Sequence, residues 1–297
     1  MFDFLKGGQA NVQVTLDRPN QIYGAGDTVH VTVNVQGVKD LKIQNAQIAL
    51  VSREEYVRRY DERSTDSNGN STIEENTRRE TDERKVWQQQ FLGETTIKGN
   101  SNQAFEFNVP IPPDALPTVD GGKILSFAWR VKTTLDRRLR GDVEDIQELY
   151  VIAKPYGNMG GAGEYGTSNE PGEARLSLRL SNTGAAVGET IAGELLIQPQ
   201  KAFDATEIRV ELERTEDVPQ DKGNQQKEKQ TVKMAGSTHL DPGQNLNMPF
   251  QIKIPSGAPF TCRTRHGSIS WVLRGVLARR MRGDTSVEQE ILLFSGK

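Results

Sequence analysis

Apolar and polar residues alternate with a period of two along most of the chain, and that alternation predicts strands wherever it holds. Val12, Val14 and Leu16 alternate with polar neighbours, and after Gly26-Asp27 the run T-V-H-V-T-V-N-V-Q puts Val29, Val31, Val33 and Val35 on one face. A further strand is predicted over 43–57. Trp87, Phe91 and Leu92 bring the chain back to a core, and F-E-F-N-V-P-I-P-P aligns Phe105, Phe107, Val109 and Ile111. Pro110 lacks an N–H to donate, so it belongs at a sheet edge or bulge, and the proline run to Pro117 predicts a crossing connection. Phe127, Trp129 and Val131 mark a long strand, and residues 146–152 a closing one. Leu176 then restarts the alternation, with Ile191, Leu195 and Ile197 inward, and 291–294 closes it.

The restart is a repeat. Ser126 to Asp142 reads S-F-A-W-R-V-K-T-T-L-D-R-R-L-R-G-D, and Ser268 to Asp284 reads S-I-S-W-V-L-R-G-V-L-A-R-R-M-R-G-D. The Gly26-Asp27 turn is answered by Gly188-Glu189, and the crossing by M-P-F-Q-I-K-I-P-S-G-A-P-F. Duplication at about half the chain length predicts two domains of one architecture. The expected fold is all-β, two tandem antiparallel immunoglobulin-like β-sandwiches over 1–154 and 175–297. Residues 155–174, rich in Gly with Ser, Pro and acidic residues and without periodicity, read as a flexible linker.

One segment breaks the alternation. From Arg58 to Lys85 there are almost no apolar residues, but Asn68-Gly69 near its centre is a strong hairpin signal because both residues tolerate positive φ. The expectation is a long hairpin projecting into solvent over 58–85, with a mobile loop, which so polar a composition also suits, as the alternative. A two-residue turn there sets Arg63 opposite Glu74, which is favourable, and Arg59 opposite Arg78, which is not, so the register stays open or a bulge intervenes.

Composition narrows the class. With 28 Gly and 13 Pro in 297 residues the chain is rich in turns, and a formal charge of −3 offers no general field for nucleic acid. The single cysteine, Cys262, excludes an intramolecular disulfide and favours a reducing compartment. M-F-D-F-L-K-G-G is too short and too acidic for a signal peptide, and no run is long and apolar enough to span a membrane, so a cytoplasmic protein is expected. Asn70-Ser71-Thr72 matches a glycosylation sequon and reads as an ordinary polar loop.

Candidate chemistry is sparse. Cys262 and His266 fall in one loop, C-R-T-R-H, but a nucleophile needs a positioned base and zinc about four ligands, and the other histidines, His30 and His239, are remote in sequence. No catalytic motif is present, and Gly160-Gly161-Ala162-Gly163 does not lie between a strand and a helix, so no catalytic residue, metal or cofactor is expected. Arg140-Gly141-Asp142 and Arg282-Gly283-Asp284 read as turns, with Gly supplying the conformation and Asp the cap. Arginine forks bind carboxylate or phosphate bidentately. Arg137, Arg138 and Arg140, with Arg279, Arg280 and Arg282, therefore form two candidate sites for a protein or anion, extended by Arg263 and Arg265 and by Arg58, Arg59, Arg78 and Arg79 of the hairpin. The alternative is solvated turns whose charges pair with Asp136, Asp142 and Glu144. Phe2, Phe4 and Leu5 are candidates for a membrane contact, in a segment short for strong binding.

The halves also resemble a known family. F105-E-F-N-V-P-I-P-P-D-A-L-P followed by G122-K-I-L-S-F-A-W-R-V-K is similar to the proline-rich crossing, glycine and long strand of the arrestin N-domain, and the likeness spans nearly the whole chain. The polar hairpin before Trp87 resembles that of arrestin-domain-containing trafficking adaptors, and the amphipathic start and compact ending look like the bacterial sporulation-control branch. Pro112-Pro113 is followed by Asp114-Ala115 rather than completing the Pro-Pro-x-Tyr of ligase-recruiting adaptors, and Val12 to Leu16 carries no phosphate-sensing lysine pair. With the chain ending at Lys297, receptor desensitisation is not expected. The resemblance implies a non-catalytic scaffold of transport or signalling that binds unidentified protein partners through sheet edges, the 58–85 hairpin and the concavity between its domains. The alternative it implies is a peripheral membrane regulator that meets anionic lipid through the N-terminus and the arginine turns.

Overall fold

The computed structural model describes residues 10–65, 71–138, 141–155, 157 and 159–295, and every regular element among them is a strand. The first half carries β1 (Ala10–Leu16), β2 (Ile22–Tyr23), β3 (Thr28–Gly37), β4 (Leu41–Ile43), β5 (Asn45–Thr65), β6 (Ser71–Leu92), β7 (Thr95–Ile97), β8 (Asn102–Pro110), β9 (Leu125–Asp136) and β10 (Val143–Val151). The second carries β11 (Gly163–Tyr165), β12 (Ala174–Leu180), β13 (Gly184–Ala186), β14 (Thr190–Pro199), β15 (Phe203–Ala205), β16 (Glu207–Val218), β17 (Asn224–Ala235), β18 (Thr238–Leu240), β19 (Leu246–Lys253), β20 (Cys262–Arg263), β21 (Ser268–Ala278) and β22 (Thr285–Phe294).

The duplication extends to topology. Sheets β1-β3-β8 and β2-β10-β9-β5-β6 in the first half are matched by β12-β14-β19 and β13-β22-β21-β16-β17 in the second, and the ribbon β4-β7 by β15-β18. In each half one short strand runs parallel to the closing strand, β2 with β10 and β13 with β22, while β1-β3-β8, β9-β10, β12-β14-β19 and β17-β16-β21-β22 pair antiparallel. The fold is the expected all-β, arrestin-like pair of β-sandwiches. The chain divides into two compact units, one of Met1–Glu55, Thr81–Thr118 and Phe127–Ile152, the other of Tyr56–Glu80, Val119–Ser126 and Ala153–Lys297.

The repeated residues do the same work twice. Trp129 and Trp271 are buried, and their indole N–H groups donate to Leu116 O at 2.8 Å and Pro259 O at 3.0 Å. Each proline-rich crossing is thus held by the long strand that follows it, which is why the two recur together in the sequence. Thr118 and Thr261 accept, on Oγ1, the N–H of Val151 and of Leu293, both at 2.9 Å. Gly26 and Gly188 have φ of 85° and 87°, a left-handed conformation that favours glycine. The acids that follow them accept Gly24 N–H at 2.9 Å and Ala186 N–H at 3.0 Å. Pro110 ends β8, an edge strand, where no ladder donor is required.

One expectation differs from what is observed, and one that stood open is narrowed. Part of the 155–174 segment is ordered: Gly163–Tyr165 pairs with Leu178–Leu180, Glu164 bonds Arg179 at 2.9 Å, and Asn169 exchanges bonds with Ser286 at 2.9 and 2.7 Å. A three-residue strand is too short for alternation to register. In the polar segment, β5 and β6 are long neighbouring strands, but Ser64 faces Thr72 at 2.8 Å and Thr65 faces Ser71 at 3.1 Å. That pairing is one residue away from the one a two-residue turn demands. Arg59 reaches Glu75 at 3.3 Å, and Arg78 reaches Glu80 at 3.2 Å. Asn68-Gly69 lies outside the described residues.

Candidate functional site

β5 and β6 run on as a ribbon because neither face needs covering: beyond Tyr60 both strands are exposed and, apart from Ile73, polar, with mixed charge that pairs across and along the strands. The base of the ribbon is fastened within the second unit. Arg58 bonds Glu80 at 3.1 Å and Asp221 at 2.7 Å, Lys222 bonds Asp61 at 2.7 Å, Asn224 donates to Val57 O at 2.8 Å, and the rings of Tyr56 and His266 stack at 4.2 Å. Arg58, Arg59 and Arg78 thus already hold carboxylates, and Arg79 stands exposed on β6.

The arginine turns are capped as expected. Asp142 accepts Arg137 N–H, and Asp284 accepts Arg279 N–H, each at 3.1 Å. Arg137 donates from Nε to Gly141 O at 2.6 Å, and Arg138 is exposed. Arg140 lies outside the described residues, as do Phe2, Phe4 and Leu5. In the second turn Arg279 is largely buried, paired with Glu173 and stacked 4.5 Å over the Phe203 ring, while Arg282 reaches the same Glu173 at 3.5 Å. Between them Arg280 and Met281 are exposed, and Met281 is held at φ 59° with 95% of its surface in solvent. Arg263 and Arg265 are exposed on the β20–β21 turn. The candidate arginines therefore form several separate groups, of which Arg279 and Arg282 share one acid.

Two clusters escape a reading by sequence pattern. On the outer face of β17-β16-β21-β22, Glu211 is 2% exposed yet bonds Arg209 at 2.6 Å and Lys229 at 3.0 Å. Burial pushes its carboxyl up, and those two cations outweigh it and hold it below the usual range. Arg274 joins Glu213 at 3.4 Å and Glu288 at 2.7 Å, and Arg209 reaches Asp284 at 3.1 Å. The signal was the alternation of Glu207, Arg209, Glu211 and Glu213, which reads as a solvated face.

The other cluster is buried. Glu216, fully enclosed, accepts Lys123 N–H at 2.7 Å and Ile124 N–H at 2.9 Å and pairs with Arg214 at 3.0 Å. Arg214 also reaches Glu228 at 2.8 Å. Gly122 is required in this segment because a Cβ there would stand 1.9 Å from Leu125 O. A carboxylate saturated in this way fastens the backbone of the segment that covers it.

Comparison with known proteins agrees with this geometry. A family model described as arrestin (or S-antigen), N-terminal domain, matches residues 12–156, and one described as SpoOM protein matches 171–282. No curated protein matches the chain. Both families are generally non-catalytic. Among the described residues no helix is long and apolar enough to cross a membrane. The two matches fall on the two duplicated halves, and together they match an arrestin-like superfamily with a sporulation-control-like branch.

Proposed function

We propose that the protein works without turnover as an adaptor, holding protein partners on the β5–β6 ribbon and along the open edge of β6. The observation that carries this reading is a difference between otherwise matching halves. β5 and β6 have 21 and 22 residues, whereas their counterparts β16 and β17 have 12 each. Duplicated features need no more than a shared scaffold to account for them; an extension made in one half calls for its own explanation. β6 presents an unpaired row of main-chain donors and acceptors, on which a partner strand is added by hydrogen bonds while side chains choose the partner. Because Arg58, Arg59 and Arg78 are already paired with acids, a mixed-charge protein surface suits the ribbon better than a phosphate cluster does.

The test is capture from the native cell with the full chain and with a variant whose residues 63–73 are replaced by Asn-Gly. That change keeps Asp61, Glu75 and Glu80 and so the fastened base. Loss of specific partners supports the reading, and an unchanged set of partners refutes it.

A second reading, peripheral attachment to anionic membranes, is favoured by Met281, an exposed apolar side chain between Arg280 and Arg282 at a turn tip. Co-sedimentation with anionic vesicles at low salt, lost in Met281→Ser, supports it; absence of binding by the unaltered chain rules it out.

A further inference from the structure

The outer face of the sheet β1-β3-β8 carries almost no charge. Its side chains are amides, hydroxyls and small apolar groups, with His30 and Glu106 as the ionisable residues among them. The matching face of β12-β14-β19 in the second half carries Arg175, Arg179, Glu194 and Lys253. Solvent-facing strands ordinarily carry lysine and glutamate, which keep a surface soluble and discourage stray pairing. A face without them, in one half of a duplicated fold, is not accounted for by the shared scaffold. We propose that it is a binding surface for an uncharged, hydroxyl-rich ligand, an extended neutral glycan.

Register sets the polar groups out in rows. Gln36 lies between Asn11 and Asn102, Gln13 lies across from Asn34, and Thr15 from Thr32. At the usual spacings of a sheet, neighbours on one face stand about 4.8 Å apart across the strands and about 7 Å apart along them, and Thr28 to Gln36 spans roughly 27 Å. Among the described residues, none of Gln13, Thr15, Thr32, Asn34 and Gln36 has a side-chain hydrogen-bond partner, while His30 bonds Asn108 at 2.6 Å. Amides and hydroxyls each offer both a donor and an acceptor. The rows therefore present both kinds to a ligand that supplies both in return.

Charge decides among ligands. A nucleic acid or an anionic membrane needs cations to neutralise it, and this face carries no lysine or arginine. An ordinary protein surface would bring charges that lose water and find no partner here, and an apolar surface would bury the amides without bonds. A neutral glycan brings hydroxyls and ring oxygens, so nothing charged is desolvated. No Trp, Tyr or Phe lies on the face for a sugar ring to stack on, and each sugar is held by hydrogen bonds of modest net worth. A chain of several sugars laid along β3 is therefore the fitting ligand, rather than a single sugar.

The experiment is native affinity electrophoresis of the purified full chain in gels with and without hydroxyethylcellulose, glucomannan or glycogen, with alginate as the anionic control. Mobility should fall about twofold or more in one or more of the neutral gels and stay unchanged in alginate. The double variant Thr28→Glu with Asn34→Lys puts one charge of each sign on the face, leaves the net charge unchanged and should abolish the retardation. Asn34→Gln, which keeps the amide, should retain it. Far-ultraviolet circular dichroism and melting that match the unaltered chain separate lost binding from lost folding. A chain retarded by none of the neutral glycans, or a double variant retarded as strongly as the unaltered chain, overturns the proposal. If the glycans fail and the double variant instead removes captured proteins, the face is a protein interface and the glycan reading is wrong. The face belongs to a different sheet from the β5–β6 ribbon, so the 63–73 replacement should leave retardation unchanged, and failure of either reading leaves the other standing.

Discussion

Replacing Glu216 by alanine should be among the most damaging single changes outside the apolar core. The side chain is fully buried and serves three donors: Lys123 N–H, Ile124 N–H and the Arg214 guanidinium. Removing it leaves two amides without their acceptor and a guanidinium, 7% exposed, with Glu228 as its remaining carboxylate partner. Breaking one side of a buried ion pair costs about 3–5 kcal/mol, because the surviving charge stays desolvated. For a unit of this size that is a fall in melting temperature of roughly 6–20 °C. The control is Glu228→Ala: this carboxylate is 45% exposed, and its loss should cost less than about 1 kcal/mol. Calorimetry of both variants decides the matter, and a Glu216→Ala loss no greater than that of Glu228→Ala refutes the assignment of the pair as a structural fastening.

Three further outcomes are expected. Trp129→Phe and Trp271→Phe each remove a hydrogen bond to a crossing and leave Leu116 O or Pro259 O unpaired, a loss of about 1–3 kcal/mol by urea unfolding. His239 bonds Asp204 at 2.7 Å and lies near Asp241 at 3.3 Å, and these carboxylates raise its pKa above the ordinary 6.5. A raised folded pKa means that the clip contributes fully below the unfolded value and is lost as pH rises through the folded one; an NMR titration should show Asp204→Asn moving the midpoint down. Met281→Gly relieves a left-handed conformation and should stabilise by up to about 1–2 kcal/mol, read as a rise in the urea midpoint at unchanged slope.

The scaffold was legible because it rests on short-range rules. Alternation marked the strands, and the repeat of Ser126 to Asp142 in Ser268 to Asp284 marked two halves of matching topology. The capping aspartates, Asp142 and Asp284, follow from turn chemistry that local sequence states openly. Glu216 was not legible: it shares a face of β16 with Arg214 and Val218, and nothing local shows that a carboxylate there is buried until the 119–126 segment closes over it. The fastening of Arg58 by Asp221 joins residues far apart in sequence, and no local pattern encodes it. The hairpin register was open for a related reason: hydroxyl pairs set it by one residue, while the charges tolerate more than one arrangement. Burial of charge and distant pairing thus account for most of what local pattern left unread.

The central claim, that partners are held along β6, is tested most directly by amide hydrogen exchange on the full chain with and without a captured partner. The account predicts slowed exchange at alternate amides of Ser71–Leu92, with β17, the matching edge of the second half, unchanged. Protection confined to other strands, with β6 exchanging as in the free chain, would contradict it.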